Sequence, residues 1–217
     1  MKKMLWKEIR LAASPLSFWF LAAAALTFVP GYPILLGAFF ITLGIFYSFQ
    51  TTRENNDIGY SLLLPVAKKD IVKGKYLFVL FIEGCGFLAM TVFTLIRMLF
   101  LSAAAAYTAN ALMCANFTFL GFVLLIYGIF NLVFVGGFFR TAYKFGKPFI
   151  FYIIAAMLVV VLAESLHHFP GLGGLNGFGF TEIVPQLIVL AAGALLFAAF
   201  TLLGIKNSIK RFEKIDL

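Results

Sequence analysis

Charge is scarce in this chain. Only 12% of its 217 residues are Asp, Glu, Lys or Arg, about half the share of an ordinary soluble domain. The scarcity leaves no room for a sizeable soluble domain. Cysteine is nearly absent as well. Cys85 and Cys114 both fall inside apolar segments, where they read as small buried hydrophobes, and no disulfide framework is supported. Several catalytic signatures are missing. The Gly-Lys pairs Gly74-Lys75 and Gly146-Lys147 are followed by Tyr76 and Pro148, so neither opens a phosphate-binding loop, which needs Ser or Thr after the lysine. There is no Gly-x-Ser-x-Gly elbow and no His-Glu-x-x-His pair. Glu164 and His168 stand four apart and could share a cation on a helix, but no second acidic or histidine pair is near them in sequence. The simpler reading is a polar helix end meeting water.

Hydrophobic residues make up 63% of the chain and aromatics 18%. Tyr76 to Ile96, Phe117 to Phe139, Phe149 to Ala163 and Ile183 to Ile205 approach or exceed the ~20 apolar residues that cross a bilayer. The expected fold is all-α and polytopic. Six spans are predicted, over Leu16–Val29, Pro33–Gln50, Lys73–Leu101, Ala111–Phe139, Pro148–Leu166 and Ile183–Ile205. The first is short, about 21 Å if α-helical. It either thins the bilayer or forms a re-entrant hairpin with the second. The N-terminus is basic and then apolar but shows no convincing cleavage site, so it reads as mature chain.

The net charge of +8 reports orientation rather than nucleic-acid binding. Lys2, Lys3, Lys7 and Arg10 precede the first span. Arg53, Lys68, Lys69, Lys73 and Lys75 follow the second. Arg140, Lys144 and Lys147 follow the fourth, and Lys206, Lys210, Arg211 and Lys214 follow the sixth. The alternate connections hold none, and Arg97 is the exception near an outer span end. By the positive-inside rule both termini are expected in the cytoplasm, in a multi-pass plasma-membrane protein.

Three further features bear on function. On a helical wheel of residues 1–14, Lys3, Lys7, Arg10 and Ser14 share one face, and Met1, Met4, Leu5, Ile9 and Ala12 share the other. This predicts an amphipathic helix in the membrane interface, with its lysines toward anionic headgroups. Glu8 intrudes on the apolar side and hints at a protein partner there. Glu83 and Arg97 are the clearest charges within a span, both in the third. Arg97 is expected to snorkel outward. Glu83 lies well inside, facing a neighbouring helix or a wet cavity, and is a candidate lumen or substrate residue. The glycine-rich connection over residues 164–182 is expected to be an irregular outer loop, either plainly flexible or capping or gating an external opening.

The basic stretch "LLLPVAKKDIVKGKYL" joins the second and third spans. Asn55, Asn56 and Asp57 favour a helix start. Ile58 to Leu64 then makes a short apolar helix ended by Pro65. A second helix begins near Ala67, with Lys68, Lys69, Lys73 and Lys75 at the headgroups. The exposed apolar patch suggests a docked partner.

At Leu64, Pro65, Val66, Lys69, Asp70, Ile71, Val72, Gly74, Lys75 and Tyr76 this stretch resembles a segment of small bacterial ABC exporter permeases of the type-two family. Ala67 replaces the usual Ser and Lys68 the usual Arg, so capping by that Ser is lost. The opening "KKMLWKEIRLAASP" resembles the same family's interfacial helix. The resemblance implies a single permease domain over 1–217. Residues 1–14 would be the interfacial helix, 51–72 a loop with a coupling helix, and 164–182 the external loop.

The resemblance further implies a permease dimer, homo- or heteromeric, working with two separate ABC ATPase chains. ATP and Mg would be held by those chains, with no cofactor and no catalytic residue in this one. Asp57, Ile58, Tyr60 and Leu62 would be the coupling residues, and Lys3, Lys7, Arg10, Lys68 and Lys69 the interfacial anchors. A cavity lined by some of the 28 phenylalanines would suit amphipathic peptides or lipids, and a likeness to phenol-soluble modulin exporter permeases makes an amphipathic or hydrophobic peptide, moved out of the cell, the expected cargo. The competing readings are a self-contained immunity or channel-like membrane protein, and a lipid-acting membrane enzyme using Glu83 or His168.

Overall fold

The computed structural model describes residues 2–63, 65–141 and 144–215, without the side chains of Lys2, Lys3 and Thr141. Leu64 and the Lys3 side chain, both singled out above, therefore lie outside the described residues. Within those residues the chain is helical with no strand. Four segments are long and apolar enough to cross a membrane: Lys68–Leu101, Phe117–Arg140, Gly146–Leu166 and Ile183–Phe212. The bent pair Met4–Ala12 and Pro15–Phe28 makes a fifth if counted as one span. The difference from six spans lies in the first two, which are short.

The chain begins with α1 (Lys2–Lys7), which runs on as a π-helical turn, Glu8–Ala12. The backbone then turns through 102°. Ser14 is extended and its side chain accepts from the Leu16 amide, with Pro15 at the first helical position. That combination starts a helix firmly. The new helix, α2 (Pro15–Trp19), tightens into a nine-residue 3-10 segment, Phe20–Phe28. A 3-10 helix rises about 2.0 Å per residue against 1.5 Å. The 14 residues therefore reach about 25 Å, not the 21 Å expected of an α-helix. The winding lengthens a segment that is short on residues.

α3 (Leu36–Glu54) is 19 residues long but ends in Gln-Thr-Thr-Arg-Glu. Its apolar part, residues 36–49, covers about 21 Å, which is why it falls short of a full span on composition. It packs tightly on the first hairpin arm. A Cβ at Gly44 would come within 2.7 Å of the Phe20 Cβ, and one at Gly37 within 2.8 Å of the Ala23 carbonyl. The Ser17 hydroxyl bonds the Gly44 carbonyl at 2.7 Å and the Ser48 hydroxyl at 2.6 Å, and the Ser14 amide donates to Ser48.

A short α4 (Asp57–Leu62) follows, then α5 (Lys68–Ile96), prolonged by a π-helical turn at Arg97–Leu101. Ala67 caps α5 with no side-chain bond, consistent with the missing Ser. After α6 (Ala105–Thr108), α7 (Phe117–Ile129) passes through a π-helical stretch, Phe130–Val135, into α8 (Gly136–Thr141). The fourth span thus starts later than the expected Ala111, because Asn116 caps it by accepting from the Phe119 amide. The bundle closes with α9 (Gly146–Leu166), a 3-10 turn at Gly173–Asn176, and α10 (Ile183–Phe212).

α7 is the central helix. Its apolar window is 78% buried, against 22% for α9 and 17% for α10. α7 and α10 touch backbone to backbone: a Cβ at Gly121 would sit 2.6 Å from the Val189 carbonyl, and one at Gly193 would overlap the Gly121 carbonyl. Small residues at the contact are how helices approach closely where there is no hydrophobic drive between them. Between α3, the π stretch and α9 the rings of Phe46, Phe49, Phe130, Phe134, Phe149 and Tyr152 pack on one another, with Phe46 and Phe149 stacked at 3.9 Å. These phenylalanines build the interior instead of lining a cavity or facing lipid.

The glycine-rich loop over residues 164–182 is irregular but well tied. Asn116 donates to the Leu175 carbonyl, Asn176 accepts from the Cys114 amide at 2.6 Å, and Gln186 donates to the Thr181 carbonyl at 3.0 Å. Glu164 accepts from the Met113 amide at 2.7 Å, so it helps to hold the loop. Arg97 does not snorkel. It is 6% exposed, donates to the Thr27 carbonyl at 2.6 Å and lies 4.1 Å over the Tyr107 ring. It closes the far end of the 3-10 segment, where free carbonyls concentrate negative partial charge.

Candidate functional site

Four charged side chains meet at the basic end of the bundle. They come from α1, its π-helical turn, α4 and α5. Lys75 lies 2.5 Å from Glu8 and 3.2 Å from Asp57, and Lys7 lies 2.7 Å from Asp57 and 3.1 Å from Glu8. Lys75 also donates to Thr52 at 2.7 Å, and Lys7 to Ser61 at 2.8 Å. Two cations face two anions, so the cluster is neutral as a whole. Its exposure falls from 18% at Lys7 and 11% at Asp57 to 3% at Lys75 and 1% at Glu8. Burial pushes the Asp57 carboxyl up, but Lys75 and then Lys7 beside it hold it below its ordinary value. Such a cluster is stable only while it is complete, since one missing partner leaves a buried charge uncompensated.

The reason it assembles is helical register. Ile71, Lys75, Val79, Glu83, Gly86 and Met90 fall on one inward stripe of α5 and are buried or nearly so. Lys75 is therefore on the core face, unlike Lys69, which is exposed. Gly74 lets α1 close on it: a Cβ there would meet the Met4 Cβ at 3.3 Å. Glu8, on the apolar side of the first helix, finds its partner within the chain. Lys7, expected at the headgroups, turns into the cluster. Arg10 stacks 4.5 Å over the Trp6 ring, and Lys68 donates to the Ile215 carbonyl.

α4 is thus divided. Asp57, Ile58 and Ser61 face inward, Ile58 at 2% exposure, and Leu62 is partly buried against the core. Tyr60 and Leu63 point away, at 67% and 82% exposure. Of the four residues expected to meet a partner, only Tyr60 is on the open face, and Leu63 joins it. Gly59 sits beneath the Asn56 side chain, where a Cβ would come within 2.7 Å of both amide atoms, and Asn56 itself is left-handed at φ 48°.

Deeper in the bundle lies a second polar group. Glu83, 1% exposed, accepts from Asn131 at 2.9 Å, and Asn131 also donates to Thr201 at 3.0 Å. The Tyr76 hydroxyl donates to the Asn131 carbonyl and meets Ser208, each at 3.1 Å. Asn131 sits in the π-helical stretch, where the backbone departs from the regular ladder, as such stretches often do at functional positions. Among the described residues, Oε1 of Glu83, Oδ1 of Asn131 and the Tyr127 hydroxyl have no hydrogen-bond partner. Glu83 thus faces neighbouring helices, as one of the two sequence alternatives has it. Asn131 is the residue that sequence reasoning missed; its signal was a lone amide in an otherwise apolar span.

A family model for ABC-2 family transporter proteins matches residues 3–213, almost the whole chain. No curated protein and no solved structure matches it.

Proposed function

The chain belongs to the ABC-2 transporter family, and from that premise we propose that it is the permease subunit of an ATP-driven exporter. In this reading Pro15–Phe28 and α3 are the two short spans of six, both termini are cytoplasmic, and α1 with its π-helical turn lies in the inner interface. The 102° bend supports that placement, because it sets the first helix across the direction of the second. α4 is the coupling helix. Two ABC ATPase chains bind beneath a pair of permease chains, and they hold the ATP and Mg.

The observation that carries this reading is the division of α4. Its inner face is joined by ion pairs to the first helix and to α5. Its outer face offers Tyr60, joined by Leu63 at the C-cap, and both are exposed among the described residues. A rigid connection on one side and an open apolar surface on the other is what force transfer from a docked partner requires. A push on Tyr60 and Leu63 reaches α5 through Asp57 and Lys75. The cargo proposed is an amphipathic peptide, on the likeness to peptide exporters. Because the ring cluster of Phe46, Phe49, Phe130, Phe134 and Phe149 fills the interior, its path runs along the face where two permease chains meet.

The test is recovery of the tagged chain from its native membrane in mild detergent, with and without Tyr60→Asp and Leu63→Asp. The expected result is a P-loop ATPase recovered in stoichiometric amount with the unaltered chain and lost from the double variant. A stable chain that purifies without any ATPase would overturn the proposal.

A further inference from the structure

A cleft of about 490 Å³ opens at the basic end between α8, α9 and α10. Its mouth carries Arg140, Lys147 and Arg211, with Asn207 beside them, and no acidic residue lines it. None of the three cations is ion-paired among the described residues. Several other basic groups of this end have partners: Lys7 and Lys75 are in the charge cluster, Lys68 is bonded to a carbonyl, and Arg53 lies 5.1 Å from the Phe145 ring. Three unpaired cations around one concavity set up a field that attracts a doubly or singly charged anion.

The rest of the lining is apolar. Leu132, Val133, Pro148 and Phe151 form the wall. Leu132 lies eight residues before Arg140 along the α7–α8 helix, about 12 Å deeper at 1.5 Å per residue. Phe151 lies one turn below Lys147 and is 64% exposed. The cleft is therefore charged at the rim and greasy below. A free inorganic anion would use only the rim. An anionic phospholipid uses both parts, with its phosphodiester among the cations and an acyl chain along Leu132, Val133 and Phe151. The first turn of α9 adds two more donors, the amides of Gly146 and Lys147, since its cap, Phe145, contributes no side-chain bond.

We propose that this cleft is a binding site for the headgroup and upper acyl chain of an anionic glycerophospholipid. It is separate from the charge cluster and does not depend on an ATPase partner. A basic pocket between spans is a recurring way to hold such lipids. Because α8 continues the central α7, a bound lipid also clamps the π-helical stretch from its basic end.

The full-length chain in nanodiscs of zwitterionic phosphatidylcholine would be given trace phosphatidylglycerol carrying a photoreactive acyl chain. Crosslinked peptides would be mapped by mass spectrometry. The expected result is selective labelling of the segments containing Leu132 to Arg140 and Lys147 to Phe151, with no such selectivity for a photoreactive phosphatidylcholine. Each cation near a membrane surface contributes roughly fivefold in affinity, so R140Q/K147Q/R211Q should lose on the order of 100-fold. R140K/R211K should retain most of the labelling, which separates charge from fold. Leu132→Trp, filling the apolar wall with the charges intact, should also reduce it. Competition by inorganic phosphate as strong as by unlabelled phosphatidylglycerol would reassign the rim to a free anion and overturn the proposal. Equal labelling by both lipids, or labelling unchanged in the triple variant, would overturn it too.

Discussion

The two buried polar groups of this bundle are built on opposite plans. At the basic end, Lys7, Glu8, Asp57 and Lys75 pair every charge with an opposite one. In the middle, the Glu83–Asn131 group leaves Oε1, Oδ1 and the Tyr127 hydroxyl without partners. The first ties three separate helical elements together and is closed electrically. The second joins α5 to the π stretch and α10 through two bonds of an amide that could exchange partners. A closed network transmits displacement rigidly. An open one has room to rearrange at little cost, because new bonds can replace old ones. Placed in series along α5, they suit a helix that is pushed at one end and repacks in the middle.

The comparison can be broken most forcefully at Lys75. Lys75→Met leaves two carboxylates facing the single, more exposed Lys7. A loss of about 3–5 kcal/mol is expected, read from the midpoint of chemical unfolding in detergent. Adding Glu8→Gln to that variant should recover more than half, because the charge imbalance is removed. A single-variant loss below ~1 kcal/mol would show that the cluster is not a closed unit.

The middle group should respond more gently. Glu83→Leu leaves one amide hydrogen of Asn131 without its acceptor and is expected to cost about 1–3 kcal/mol. Glu83→Gln keeps an acceptor and supplies a donor for the free oxygens, so it should stay within about 1 kcal/mol of the parent. If Gln costs as much as Leu, the group is as rigid as the cluster and the contrast fails.

Acid separates the two regions in another way. Asp57 is held below its ordinary range by Lys75 and Lys7. A depressed carboxyl stabilises the fold fully above its unfolded value, near 3.8, and that contribution disappears as pH falls through the lower folded value. Stability is expected to be level from pH 7 to about 4.5 and to decline below about 4. In Asp57→Asn the decline should be shallower, as followed by thermal unfolding across the pH series. The smallest effect is expected at Ala67, which caps α5 with no side-chain bond. Ala67→Ser should add about 0.5–1 kcal/mol, with no change at either polar group.

Much of this architecture was legible from hydrophobic run length and from the placement of basic residues. The long helices α5, α7, α9 and α10 were found within a few residues at most ends, because twenty apolar residues leave few alternatives. The first two segments were harder. Length counting assumes an α-helical rise, and Phe20–Phe28 gains length by winding more tightly. The division between anchor and cluster was also hidden. A lysine near a span end reads as a headgroup contact, yet Lys75 shares the inward stripe with Ile71 and Val79. Glu8 on an apolar face was the visible clue, and its partner, 67 residues away, was not. That Asp57 and Ile58 of the short helix face inward could not be read from the sequence, since six residues with one turn of register do not define a face. The ties of the glycine-rich loop were missed because glycine content speaks to backbone freedom and says nothing of the Asn116, Asn176 and Gln186 amides that restrict it.

The most direct measurement separates docking from transmission. The chain carrying Asp57→Asn would be purified with the ATPase partner proposed for it, and both the amount of partner bound and substrate-stimulated ATP hydrolysis would be recorded. With Asp57 turned inward and Tyr60 and Leu63 forming the docking face, the partner should remain bound in full while stimulation by substrate is largely lost. Loss of the partner, or full stimulation with Asp57 neutralised, would contradict the account.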